Sequence, residues 1–413
     1  MFKSSLKIVL GTTVAVSLAA CGGAGGPGGG SEKISDGKLV LGVLNDQSGP
    51  YKDLSGPNSV EAVKMAVEDW KAAHKDDAVT TDIEVITADF STKPDVANTK
   101  AQEMYDRENA DIILDVPNSA AALAVATQAK NKKRVYINVG GGTSALTGAS
   151  CNKYTFHWAY DTYMLANGAA KSVTDSGGKT WSIVYPDYEF GQASDKLYTG
   201  AVEAAGGKVI AHIPTPFPNE NFATFITKAQ QGNPDVIASM HGGGDLANFF
   251  KQYQQSGGDK STKVVGGVVF LSDIKSIGAE PLKGMQFTDS WYWNMDKEAR
   301  AWADRFQEKV GTRPTAINAG NYSAAYQYLE AVQEAGTDKS DDVVAKLEGK
   351  KINDIFLRNG EIRAQDHRVI HDVYLAEVKD PKDIKEDEDF EKIVTTIPAA
   401  NAFRPLDQSE CSM

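Results

Sequence analysis

The run Leu39-Val40-Leu41-Gly42-Val43-Leu44 is the most informative segment of the 413-residue chain. It is continuously apolar and does not alternate like a half-exposed strand, which predicts a strand covered on both faces. A turn-rich loop over 45–59 follows, and apolar residues then recur at helical spacing from Val60 to Trp70. A fully buried strand followed by a helix is the building unit of a parallel α/β sheet.

The same unit repeats along the chain in two series. Strands and helices alternate before and after about residue 160, and such alternation implies right-handed crossovers between parallel strands. The predicted fold class is therefore α/β, with two doubly wound parallel-sheet lobes. The predicted strands are 83–86, 111–115, 135–139, 181–185, 208–213, 236–240, 264–270, 284–293 and 371–378, and the predicted helices are 96–107, 120–130, 192–205, 299–310 and 319–335.

The first twenty residues predict export. Lys3 and Lys7 precede an apolar stretch over 8–18, whose length suits a signal peptide rather than a membrane-spanning helix. The stretch ends in Leu18-Ala19-Ala20-Cys21, which resembles a bacterial lipobox and predicts a signal peptide over 1–20 with lipidation of Cys21. The alternative is ordinary signal cleavage, which leaves Cys21 as an incidental thiol.

A glycine-rich segment within 21–36 predicts a flexible tether behind the lipidated cysteine. The chain is expected on the outer face of the cytoplasmic membrane, or in the periplasm. In such an oxidising compartment the two remaining cysteines, Cys151 and Cys411, are expected to form a disulfide. The alternative is two separate thiols.

Composition and motifs argue against several function classes. A formal net charge of −12 disfavours nucleic acid as a partner. The sequence contains no G-x-S-x-G, H-E-x-x-H or P-loop motif, and its six histidines lack metal-ligand spacing. We therefore predict no catalytic residues, no metal and no cofactor, and interpret the chain as a binding protein rather than an enzyme.

The candidate ligand site lies in the loops after the strands, because open parallel sheets bind ligands beyond their carboxyl ends. Glycines allow close backbone approach, and helix starts such as that at Ser119 attract anions, so a carboxylate suits the first lobe. Aromatic residues supply apolar walls, and Asp161 and Asp273 are loop acids available to a ligand ammonium. The candidates are Ser48, Tyr51, Asn118, Ser119, Ala120, Gly140, Gly141, Gly142, Thr143, Tyr160, Asp161, Tyr188, Phe190, Gly243 and Asp273.

Each candidate also has a structural alternative. The glycine loops after 135–139 and 236–240 are equally typical of tight strand-to-helix turns without a ligand. A single aromatic side chain belongs more often to a core, and a single loop acid is more often solvated or capping a helix. The charge-dense stretch over 379–392 is interpreted as a solvated surface element.

The mature chain over about 37–410 resembles the leucine/isoleucine/valine-binding-protein type of ABC-importer solute receptor, the type I periplasmic binding fold. The resemblance lies in the lipobox, in Leu41-Gly42-Val43-Leu44-Asn45-Asp46-Gln47-Ser48-Gly49-Pro50-Tyr51, in Tyr185-Pro186-Asp187-Tyr188-Glu189-Phe190-Gly191 and in Arg313-Pro314-Thr315. It implies two lobes that close like a Venus flytrap and are joined by three crossovers.

The resemblance also implies a division of the chain and its partners. The first lobe is expected to span 37–158 plus about 293–355, the second 159–292 plus about 356–398, and a tail 399–413. The family's carboxylate-binding positions fall on Ser119, Ala120, Gly140 and Gly142, its ligand-facing tyrosine on Tyr188, and its acid for an amino group near Asp273. The implied partner is an ABC permease, and the receptor is expected to be monomeric.

The solute class stays open between several alternatives. We rank a carboxylate-bearing organic acid, aromatic or other, above a branched-chain or other amino acid, and amides and urea-like solutes remain. An alternative from a different class is a sensory ligand-binding receptor, although a membrane-spanning helix expected after residue 400 is not found in the sequence.

Overall fold

The structure, a computed structural model, describes residues 33–257 and 262–413. The predicted signal peptide over 1–20 and Cys21 lie outside these residues, as does most of the predicted tether. Ile34 is buried, and Ser35 donates hydrogen bonds to Asp338 from both its amide and its hydroxyl. None of the helices in the described ranges has both the length and the apolar character needed to cross a membrane.

The first lobe contains a five-stranded parallel sheet in the order 2-1-3-4-5. Leu41 and Val43 face the core formed with the first helix, whereas Val40 and Leu44 face the core formed with the next two. The apolar run is thus buried on both sides, as predicted. The elements are β1 (Leu39–Asn45), α1 (Gly56–Ala73), β2 (Ile83–Asp89), α2 (Pro94–Asp106), β3 (Ile112–Asp115), α3 (Ser119–Lys132), β4 (Val135–Asn138) and β5 (Thr155–His157).

The second lobe contains a four-stranded parallel sheet in the order 7-6-8-9. Ile183 and Val184 are neighbours on its central strand and lie in different cores on opposite faces. The elements are α4 (Thr162–Asp175), β6 (Thr180–Pro186), α5 (Glu189–Ala204), β7 (Lys208–Thr215), α6 (Ala223–Gln230), β8 (Val236–Ser239), α7 (Gly243–Gln255), β9 (Lys263–Gly266), α8 (Leu271–Ile277), α9 (Ala279–Leu282) and β10 (Gln286–Asp289).

The chain then returns to the first lobe, where a long helix packs against α1. A small antiparallel sheet follows and joins the first lobe through a bridge between His157 and Arg368. The elements are α10 (Lys297–Val310), α11 (Ala316–Ala335), α12 (Ser340–Leu347), β11 (Lys351–Ile352), β12 (Gly360–Ile362) and β13 (Val369–Ile370).

The last strands belong to the second lobe. They are β14 (Val373–Val378) and β15 (Glu391–Ile397), and they form an antiparallel sheet with β10; α13 (Ala399–Ala402) follows. The chain passes between residues 370 and 373 from the small sheet of β11, β12 and β13 to β14, which pairs with β10. The lobe bounds expected from the sequence stay a prediction. Two parallel sheets with helices on both faces confirm the predicted α/β fold with two doubly wound lobes.

The charge-dense stretch over 379–392 lies at the surface over most of its length, as interpreted from the sequence, but it contains buried carboxylates. Glu388 and Asp389 are both at least 95 % buried, at 2 % and 5 % exposed. Glu388 accepts hydrogen bonds from Lys275 and Thr312, and Asp389 accepts from Tyr292 and Lys379. Buried carboxylates are tolerated when cations and hydroxyls pair with them, and most of these partners are distant in sequence.

Cys151 and Cys411 form a disulfide, which confirms the predicted pairing across 260 residues of sequence. The bond returns the tail, which follows a second-lobe strand, to the first lobe. In this tail, the Phe403 ring lies against the guanidinium of Arg368. The guanidinium carbon of Arg368 is 4.4 Å from the centroid of the Phe403 ring, at the crossings between the lobes.

Replacing both Cys151 and Cys411 with serine should lower the free energy of unfolding by about 2–5 kcal/mol, because the bond restricts a long loop in the unfolded chain. Chemical denaturation of wild type and variant, each with and without reductant, measures this difference. Reductant should destabilise only the wild type. A wild type that is unaffected by reductant would contradict the prediction.

Arg368 is fully buried where the first and third crossings meet. Its guanidinium donates to the Asp161 carboxylate at 2.8 Å and to the carbonyls of His157 and Trp158 at 2.6 and 2.9 Å. Burial acts to raise the pKa of Asp161, yet the adjacent Arg368 holds it below its ordinary value. The ion pair therefore stabilises the folded state at neutral pH, and this contribution falls as the pH drops through the pKa of Asp161.

Arg368→Met should destabilise the protein by about 3–5 kcal/mol, because Asp161 is left buried without a counter-charge. Adding Asp161→Asn should recover part of this loss. The matched control Arg305→Met, which removes a half-exposed pair with Asp69, should cost less than about 1 kcal/mol. Denaturant unfolding measures all three, and equal losses for the two arginine variants would refute the assignment.

Candidate functional site

The loops at the carboxyl ends of both parallel sheets meet between the lobes. They line a cavity whose empty volume, including space open to solvent, is about 310 Å³. The first lobe and the first crossing supply most of the wall, and the loops after β6, β8 and β9 supply the rest. The lining residues are Tyr51, Leu54, Pro117, Asn118, Ser119, Gly140, Gly142, Tyr160, Tyr188, Phe190, Gly242, Val268 and Phe270.

The amino end of α3 forms one part of this wall. Asn118 caps the helix by accepting the amide of Ala121 at 3.0 Å. Ser119 is the first residue of this 14-residue helix, and its hydroxyl is buried with no hydrogen-bond partner within residues 33–257 and 262–413. First-turn amides lack partners inside a helix and carry partial positive charge. An unpartnered hydroxyl beside such amides suits an anionic group.

The turn that leads into α3 is strained. Asp115 and Val116 have φ angles of 83° and 62°, in the left-handed region that is unusual for any side chain and unfavourable for valine. The Asp115 carbonyl accepts the amides of Val139 and Gly140, and its carboxylate accepts the Ser55 hydroxyl. These contacts hold the strained turn in place, and strain of this kind is concentrated at functional sites. Burial raises the pKa of Asp115 to about 6.

The glycine loop after β4 is shaped by contact with aromatic rings. A Cβ atom on Gly142 would lie 2.9 Å from ring carbons of both Phe190 and Tyr160. The Tyr160 hydroxyl donates to the Gly140 carbonyl at 2.7 Å, which positions the ring against the loop. Any side chain at residue 142 would therefore push the second-lobe residue Phe190 away from the first lobe.

The two lobes touch each other directly across the cavity. The Tyr51 and Tyr188 hydroxyls lie 2.8 Å apart, and the Thr143 hydroxyl donates to Glu189 at 2.9 Å. Phe217 stacks on both tyrosines, with ring centroids 5.5 Å from Tyr51 and 4.7 Å from Tyr188. The structure is thus a closed form.

The two candidate acids do not line the cavity. Asp273 accepts the amide of Phe270 on one oxygen and the amide of Gly243 on the other, both at 2.9 Å. Burial raises the pKa of Asp273 to about 7, so a substantial fraction is neutral at neutral pH. Asp161 caps α4 and pairs with Arg368. The Asp273 carboxylate is thus bonded to backbone amides, and the Asp161 carboxylate is bonded to a helix start and to an arginine where the lobes are joined.

The structure brings together many of the residues predicted from the sequence and separates others from the cavity. Ser48 is exposed and donates to Asp89, and the Gly141 amide donates to Asn138. Predicted residues in the lining are Tyr51, Asn118, Ser119, Gly140, Gly142, Tyr160, Tyr188 and Phe190; those outside it are Ser48, Ala120, Gly141, Thr143, Asp161, Gly243 and Asp273.

Sequence reasoning missed several wall residues. Leu54, Val268 and Phe270 are apolar residues in loops or at a strand end, and their position after a predicted strand or turn was the available signal. Pro117 and Gly242 also line the cavity, and each is next in sequence to a predicted site residue, Asn118 or Gly243.

Acid–base and metal chemistry find little support in the described part of the chain. Burial lowers the pKa of both His157 and His241 to about 3, so both imidazoles are neutral at neutral pH. Within residues 33–257 and 262–413, no cluster of three or more His, Cys, Asp or Glu side chains is arranged to hold a metal ion.

Two α/β lobes that close over a largely apolar cavity are typical of a solute-binding receptor. A family model described as periplasmic binding protein matches residues 38–384. The chain belongs to this family, which consists of extracytoplasmic solute-binding proteins of ABC transporters rather than of enzymes, and the resemblance seen in the sequence is confirmed.

Similar proteins span nearly the whole chain. A periplasmic binding protein structure from Burkholderia mallei is 39% identical, covers 91% of this chain and 99% of its own, and has a TM-score of 0.87. A branched chain amino acid ABC transporter periplasmic ligand-binding protein from Burkholderia xenovorans LB400 is 35% identical, with 91% and 100% covered and a TM-score of 0.80. Leu/Ile/Val-binding protein homolog 6 from Brucella melitensis is 23% identical, with 86% and 92% covered.

Gly142→Ala should disfavour the closed form, because the added methyl group has no room between Phe190 and Tyr160. Small-angle X-ray scattering should give the variant a larger radius of gyration than wild type, with a melting temperature changed by less than about 3 °C, since each lobe is intact. The control Gly200→Ala, at an exposed helical site with no atom within 4 Å of the new Cβ, should keep the wild-type radius. Equal radii for all three proteins would contradict the prediction.

Proposed function

We propose that the protein captures a small carboxylate-bearing organic acid, aromatic or other, in the interlobe cavity and delivers it to an ABC permease. The observation that supports this most directly is the unpartnered, buried Ser119 hydroxyl at the amino end of α3. A cavity that offers an unpartnered donor at the amino end of a helix favours an anion over a neutral solute.

The rest of the wall favours an aromatic or otherwise apolar body. Leu54, Phe190, Val268 and Phe270 surround the cavity, and Tyr160 contacts Phe270 edge-to-face with ring centroids 5.5 Å apart. Covering the apolar surface of a ligand with such walls stabilises the complex. Of the sequence candidates, Tyr51, Asn118, Ser119, Gly140, Gly142, Tyr160, Tyr188 and Phe190 are our proposed ligand contacts.

A branched-chain amino acid is the second candidate, because two of the similar proteins carry that class in their names. The electrostatics of the cavity disfavour it. An ammonium buried without a carboxylate partner loses a large hydration free energy, and both oxygens of Asp273 already accept backbone amides. We therefore rank the organic acid first.

Transport requires the ligand to favour the closed form over the open form. Contacts such as Tyr51 with Tyr188 and Thr143 with Glu189 exist only when the lobes meet. We propose that closure presents both lobes to the permease, that the receptor acts as a monomer, and that lipidated Cys21 anchors it to the membrane. The lobes in this proposal are 37–158 plus 293–370 and 159–292 plus 373–398.

Thermal-shift measurements with benzoate-type acids, phenylpropanoid acids, amino acids, amides and sugars test the solute class. A ligand at a hundredfold excess over its dissociation constant stabilises by about 2.7 kcal/mol and raises the melting temperature by a few degrees. Shifts confined to carboxylic acids without an amino group are expected. Shifts only with branched-chain amino acids would reverse the ranking.

Ser119→Ala should weaken binding of the responding acid by about tenfold or more, because a hydrogen bond to a charged group is lost. Calorimetric titration measures the affinity. Thr127→Ala, which removes an exposed hydroxyl from the same helix, should bind like wild type. Unchanged affinity in Ser119→Ala would place the carboxylate elsewhere.

A further inference from the structure

The cavity wall contains a second polar point besides Ser119. Tyr51 comes from the loop after β1 in the first lobe, and Tyr188 precedes α5 in the second. Both tyrosines line the cavity and are held in position by the Phe217 ring. The only hydrogen bond of either hydroxyl within the described residues is the one between them, at 2.8 Å.

This pair has one hydrogen-bond donor more than it uses. A phenol hydroxyl has one proton to donate and lone pairs to accept. When one tyrosine donates to the other, the second O–H has no acceptor among the described residues. Burial raises the pKa of both hydroxyls above the ordinary tyrosine value, so both keep their protons at neutral pH.

A ligand hydroxyl complements this arrangement. It accepts the spare tyrosine O–H and donates to a free tyrosine lone pair, so three hydroxyls satisfy one another. An ammonium only donates, and it leaves tyrosine protons without an acceptor. It also needs a counter-charge. Asp273 already accepts backbone amides on both oxygens. Asp245 lies near enough to act on both tyrosines, but it is outside the cavity lining, and burial raises its pKa to about 7.

We infer that the Tyr51–Tyr188 pair selects a ligand hydroxyl, which makes the preferred solute a hydroxylated aromatic monocarboxylate. This inference rests on the proposed capture of a carboxylate and adds the second group that the cavity recognises. Because the two tyrosines come from different lobes, the ligand hydroxyl bonds to both only after closure. It therefore strengthens the closed state selectively.

Calorimetric titration with size-matched acids tests the inference. The probes are 3- and 4-hydroxybenzoate, 3- and 4-methylbenzoate, and benzoate, measured on wild type, on the double variant Tyr51→Phe/Tyr188→Phe and on Tyr326→Phe. A single replacement leaves one hydroxyl able to bond the ligand, so the double variant is required. Tyr326→Phe removes a hydroxyl on α11 outside the cavity lining and serves as the matched control.

At least one hydroxybenzoate should bind wild type and Tyr326→Phe about tenfold more tightly than its methyl counterpart. In the double variant this preference should fall to less than about twofold. The lost bond between the lobes weakens hydroxy, methyl and unsubstituted acids alike, so the ratio of hydroxy to methyl affinity within each protein is the readout. Near-ultraviolet circular dichroism checks that the variant is folded.

Three results would overturn the inference. Equal binding of hydroxy and methyl acids by wild type would refute it without any variant, and the proposed carboxylate capture would stand. A preference that persists in the folded double variant would remove the tyrosines from the recognition. Binding by none of the five acids would refute this inference together with the aromatic-acid class.

Discussion

The guanidinium of Arg368 lies at the meeting point of the first and third crossings, and the relative placement of the lobes depends on it. Its donors are shared between the Asp161 carboxylate and the carbonyls of the crossing segment that begins at His157. Since Asp161 also caps α4, the same ion pair fixes the first helix of the second lobe. The position of Tyr160, next to Asp161 in the chain, follows from this arrangement, and Tyr160 in turn contacts the glycine loop of the first lobe.

Some polar groups around the cavity are already bonded within the protein, and others have a donor without a partner. The carboxylates of Asp161 and Asp273 are engaged by the protein itself, whereas the Ser119 hydroxyl and one tyrosine proton are not. The cavity is lined mainly by apolar side chains. Donors without a partner in such a cavity determine which ligand binds, because a buried donor that lacks an acceptor is destabilising.

Much of the fold was predictable from the sequence, because buried parallel strands and amphipathic helices have short-range patterns. The start of α3 at Ser119, which suits an anion, and the glycines at 140 and 142 were also predictable, because they follow predicted strands. The hydrogen bonds from backbone amides to Asp273 were not predictable, since residue composition does not reveal hydrogen-bond geometry. Likewise, the burial of Glu388 depends on Lys275 and Thr312, which no local window contains.

The bond between Cys151 and Cys411 also determines how the protein carries mechanical load. Tension applied between residue 33 and residue 413 runs along the first lobe to Cys151, passes through the sulfur atoms to Cys411 and bypasses residues 152–410. All strands of the second lobe lie inside this bypassed loop. Such a pull therefore strains β1 to β4, while the second lobe, which contributes Tyr188 and Phe190 to the cavity, remains unloaded.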